Sequence, residues 1–103
     1  MDYETNSRLM KLAQLGAAQG ASVPDILRRI ADCRDTEGIP LFNIEIILVV
    51  RNAFGLPSET ISSMRAWHEF EGEKGWSDQK LEKELRPYVT QWLDKHQGTL
   101  EDE

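Results

Sequence analysis

Apolar side chains recur every three or four positions along most of this chain, and the pattern breaks at glycines, prolines and short polar clusters. A three-to-four spacing collects apolar groups on one face of a helix, so the breaks mark where helices end. In "SRLMKLAQLGAAQG", Leu9, Leu12 or Ala13, and Leu15 keep the period, and Gly20 closes it; a first helix is predicted over 7–19, with the polar residues 1–6 frayed ahead of it. Gly16 inside that helix costs up to about 1 kcal/mol relative to Ala, which marks either a close helix crossing or a frayed end.

The stretch "ASVPDILRRIADCRDTEG" carries its own start signal. Ser22 can accept a hydrogen bond from an orphaned backbone N–H, Pro24 lacks the N–H that a first turn leaves unused, and Asp25 sets negative charge at the positive end of the helix dipole. A second helix is predicted over 23–35, with Val23, Ile26, Leu27, Ile30 and Cys33 or Arg34 on the helical period, Arg28, Arg29 and Asp32 outward, and Gly38 as terminator.

The most apolar part, "GIPLFNIEIILVVRNAFG" from Gly38 to Gly55, does not alternate. Ile46 to Val50 are consecutive apolar residues, so a strand here would need cover on both faces, and no partner strands are evident elsewhere. The β-branched content keeps a buried strand over 44–50 as the alternative. The primary expectation is a central helix over 41–54, surrounded by the others, with Ile46, Ile47, Val49 and Val50 buried and Gly55 as its left-handed cap.

Two further helices complete the chain. The fourth is predicted over 58–71, with Ser58 as N-cap and Ile61, Met64, Trp67 or His68, and Phe70 inward. After the loop "EGEKG" comes the fifth, over 78–96, capped by Ser77 and carrying Leu81, Leu85, Tyr88 or Val89, and Trp92 on one face. Pro87 must kink it or split it, with the kink favoured. Residues 99–103 form an acidic tail. The fold class is all-α: a bundle of about five short helices around an apolar central one.

Composition refines the picture. A length of 103 residues fits one domain, and 40% apolar with 29% charged residues suits a folded chain rather than a disordered one. The apolar run near Leu41–Val50 falls well short of the roughly 20 residues that span a membrane. The opening residues lack the basic and apolar regions of a secretory signal, and the single cysteine excludes an intramolecular disulfide, so a cytoplasmic protein with Cys33 as a small core filler is expected.

The net charge of −6 is uneven. Residues 1–68 hold eight acidic and seven basic side chains, whereas residues 69–103 hold ten and five. Trp67, Phe70, Trp76, Tyr88 and Trp92 fall in or beside that acidic third. Aromatic groups rimmed by acids suit docking to a basic protein surface, because the rings supply contact area and the acids steer encounter. Trp67 and Trp92 fit core spacings, which leaves Trp76 as the candidate interface residue, rimmed by Glu69, Glu71, Glu73, Asp78 and Glu82; the competing role for Trp76 is a hydrophobic staple ahead of the last helix. A homo-oligomer is compatible with the same composition.

Other chemistries have less support. His68 with Glu71 supplies at most two metal ligands one helical turn apart, so no metal and no cofactor are expected. Thr60, Ser62 and Ser63 lie near His68 in sequence without a third group to orient a base, and no glycine-rich phosphate loop is present; catalysis is not expected. Arg28, Arg29 and Arg34 on the second helix form the alternative site, a patch for a nucleic-acid adaptor or regulator. Asp25, Asp32 and Asp35 beside them and the overall negative charge make nucleic acid the weaker reading.

Overall fold

Trp67 is almost completely buried among helices, and its position explains where the chain bends. The computed structural model describes residues 2–96 and contains six helices: α1 (Tyr3–Ala18), α2 (Val23–Ala31), α3 (Asn43–Phe54), α4 (Glu59–Arg65), α5 (His68–Glu71) and α6 (Asp78–Lys95). They form an all-helical bundle in which α3 packs against α1, α2, α4 and α6. Ile46, Ile47, Val49 and Val50 of α3 are buried with Leu9 and Ala13 of α1, Ile26, Leu27 and Ile30 of α2, and Leu81, Leu85 and Val89 of α6. No helix among the described residues is long and apolar enough to cross a membrane. The acidic tail expected over 99–103 lies outside the described residues.

Three boundaries in the first half of the chain differ from expectation, each for a local reason. Residues 3–6 are helical rather than frayed, because the Asp2 carboxylate accepts the Thr5 N–H at 2.7 Å and caps α1. The second helix stops at Ala31 rather than at 35. There the Asp35 carboxylate takes the N–H groups of Glu37 and Ile39 at 2.8 and 2.9 Å, a local turn that competes with helix. Instead of starting at 41, α3 begins after Phe42, whose N–H is taken by Glu45 from the first turn at 2.8 Å. Gly55 then ends α3 in the left-handed region, as the sequence implies.

The expected helix over 58–71 is two helices. At Trp67 the backbone turns extended, and a short bridge joins it to Trp76: the Trp76 N–H donates to the Ala66 carbonyl at 2.6 Å and the His68 N–H to the Trp76 carbonyl at 2.9 Å. Gly75 permits that approach. A Cβ there would lie 2.5 Å from the His68 Cα and 2.8 Å from the Ala66 oxygen, closer than atoms tolerate. Ser58 precedes α4 but its side chain makes no cap hydrogen bond.

In α6 the Ser77 hydroxyl accepts the Lys80 N–H at 3.1 Å, and the helix runs unbroken through Pro87. Pro87 and Lys83 are both exposed, so solvent can satisfy the Lys83 carbonyl that the proline leaves unpaired. Gly16 marks a close crossing: a Cβ would meet Arg29 Nη1 at 3.2 Å and Ile26 Cγ1 at 3.6 Å. Cys33 is half-buried rather than fully in the core, its thiol donating to the Arg29 carbonyl at 3.2 Å.

Candidate functional site

Two of the expected interface residues, Glu69 and Asp78, meet one arginine of the alternative patch, Arg28, in a single network. Arg28 of α2 directs its Nη2 to both oxygens of Asp78 at 3.0 and 2.7 Å, pairs with Glu69, and sets its guanidinium carbon 5.2 Å from the centre of the Trp67 ring. The Asp78 Oδ1 also accepts the Trp67 indole N–H and faces His68 Nε2, both at 2.9 Å. Burial alone would raise the Asp78 carboxyl, yet the hydrogen bonds from Arg28, Trp67 and His68, with the arginine charge, outweigh it and hold the group at about 2. Arg28 is raised in turn, chiefly by its bond to Asp78.

Glu82 also faces inward. It accepts the Val23 N–H at the start of α2 at 2.6 Å and pairs with Arg86; its burial is outweighed by those bonds, which lower its carboxyl. Of the expected acidic rim, then, Glu69, Asp78 and Glu82 hold α2 against α5 and α6. Glu71 and Glu73 are exposed and make no ion pair among the described residues.

Trp76 is half-buried against the core, with Lys80 Nζ 4.4 Å from its ring centre. Arg29 is exposed beside Gly16. Arg34 folds its guanidinium back onto the carbonyls of Asp32 and Cys33, both at 3.2 Å. The three arginines thus have separate surroundings rather than a shared open face.

His68, Glu69 and Asp78 bring three potential ligand atoms within 4.8 Å of one another. The Arg28 guanidinium already supplies the positive charge that this group attracts, so the arrangement works as a brace between helices. Glu71, the expected companion of His68, is not part of it.

A different surface emerges at the start of α3. Among the described residues, four of the five exposed large apolar side chains fall within ten positions: Ile39, Phe42, Ile44 and Leu48, with Phe42 71% exposed. Beside them opens a groove of about 360 Å³ lined by Asn43, Ile44, Ile47, Arg65, Phe70 and Glu71. Ile47 forms a buried floor and Phe70 is half-buried. Arg65 and Glu71 are exposed, and neither forms an ion pair among the described residues.

The sequence signal for this face was the same unbroken apolar run that pointed to a surrounded helix. Ile44 and Leu48, one turn apart on α3, nevertheless lie in solvent. Neither protein-family models, curated proteins nor solved structures match the chain.

Proposed function

We propose that this protein is a protein-interaction module that docks through the start of α3. The observation that carries this reading is the cluster of Phe42, Ile44 and Leu48 in solvent beside the groove floored by Ile47 and Phe70. Exposed apolar groups concentrated around a slot, with charged groups at its margin, are the arrangement of an interface centre and rim. The partner this chemistry favours presents an apolar side chain for the slot and a basic group for Glu71 and Glu73.

Binding is favoured over catalysis because, among the described residues, His68 faces an ionised carboxylate and no hydroxyl or thiol hydrogen-bonds to it. Nucleic-acid binding through Arg28, Arg29 and Arg34 has less support, since the Arg28 charge is already matched by Asp78 and Glu69.

Photo-crosslinking tests the reading. A photoreactive phenylalanine analogue at position 42 replaces one exposed aromatic with another, and illumination in extract of the native cells is expected to yield a covalent protein adduct. Adducts from position 76 with none from position 42 would return the interface to Trp76, and a nucleic-acid adduct would reverse the order of the two functions.

A further inference from the structure

Resting on the docking reading above, we infer that the occupant of the α3 groove is the same groove of a second copy of this chain, in a two-fold dimer. A partner for this surface needs an apolar knob and a base. The chain itself carries both at the groove's edge: Phe42 protrudes one residue before the lining begins, and Arg65 belongs to the lining.

Self-complementarity is what a two-fold interface requires, because each patch meets its own copy and residue i contacts j while j contacts i. The groove satisfies that condition in shape, with a knob next to a slot. It satisfies it in charge as well, with one base and one acid in the lining and neither ion-paired among the described residues. Two-fold pairing sets Phe42 of each copy into the slot formed by Ile44, Ile47 and Phe70 of the other, and Arg65 of each copy against Glu71 of the other. A generic basic partner would leave Arg65 facing like charge; a second copy does not. The other clustered charges offer no comparable fit, since Arg28, Asp78, Glu69 and Glu82 are satisfied within the chain.

Sedimentation of the purified protein over a range of concentrations tests the pairing. Wild type is expected to pass from monomer to dimer as concentration rises, and Phe42→Ser to stay monomeric with unchanged melting. Arg65→Glu and Glu71→Arg are each expected to weaken self-association about tenfold or more, since like charges then face one another. An equimolar mixture of those two variants restores both opposite-charge contacts and is expected to dimerise again. A wild type monomeric at its highest soluble concentration, or a mixture no better than its components, overturns the inference. If wild type is monomeric yet crosslinks a different protein from position 42, only the self-pairing fails. If a dimer forms indifferent to Phe42, Arg65 and Glu71, and position 42 crosslinks nothing, the docking reading fails with it.

Discussion

Trp67 donates its indole N–H to Asp78 at 2.9 Å, tying the break between α4 and α5 to the first turn of α6. The same carboxylate receives Arg28 from α2 and faces His68. Three elements therefore meet at one ionised group, and the large ring that fills the core is held in place by a partly exposed acid. The bonds through Asp78 fix how the helices meet, while the apolar side chains around Trp67 supply most of the driving force.

That carboxylate makes stability depend on acid. Its folded value is depressed to about 2 from an ordinary 3.8, so the folded state binds this proton less readily than the unfolded chain. The stability it contributes is complete above the unfolded value and is lost as pH falls from about 4 toward 2. Glu82 and Asp2, also lowered, act in the same direction. Urea midpoints at neutral pH and at intervals below pH 4 should decline, and Asp78→Asn should decline less steeply over that window. At neutral pH that variant should be about 1 kcal/mol less stable, below the usual range for a buried charged hydrogen bond because the side chain is partly exposed and screened by solvent.

Gly75→Ala should destabilise the fold by about 2 kcal/mol or more, since the new methyl group would strike the backbone of His68 and Ala66 rather than a movable side chain. Gly72→Ala gives a useful contrast. Its backbone has φ of 106° but nothing lies within 4 Å of an added Cβ, so only conformational strain opposes the substitution. Thermal melting of the two variants should show both lowered, with Gly75→Ala the lower.

The helical bundle was legible because its signals are local. Ser22, Pro24 and Asp25 start α2 where the caps say, Ser77 starts α6, and Gly55 ends α3. The break at Trp67 was not legible, because it depends on Trp76 crossing back nine residues later over a glycine. Pairing across a loop leaves no periodicity to read. The site was half legible: the acids around Trp76 were visible, and Arg86 lies one helical turn from Glu82, but Arg28 and Val23 are joined to Asp78 and Glu82 only by tertiary packing. Ile44 and Leu48 followed the same pattern as the core, and only the tertiary arrangement of the helices decides that they face solvent.

Ile47→Asp should abolish cooperative folding. Ile47 is 1% exposed in the helix that contacts most others, and a carboxylate in place of its buried apolar side chain would be largely stripped of water. Far-ultraviolet circular dichroism through a thermal ramp checks this. A soluble variant with a sharp, wild-type transition would remove α3 from the centre of the bundle.

The central claim is that the start of α3 is a surface for association and not a part of the scaffold. Its most direct measurement is the paired determination of melting temperature and association for the double variant Phe42→Ser with Leu48→Ser, read against Trp76→Ala. The account predicts that the double variant melts within a few degrees of wild type, since neither side chain is in the core, and loses association. Trp76→Ala is predicted to lower the melting temperature and keep association per folded molecule. A double variant that unfolds early, or one that associates as well as wild type, would contradict the claim.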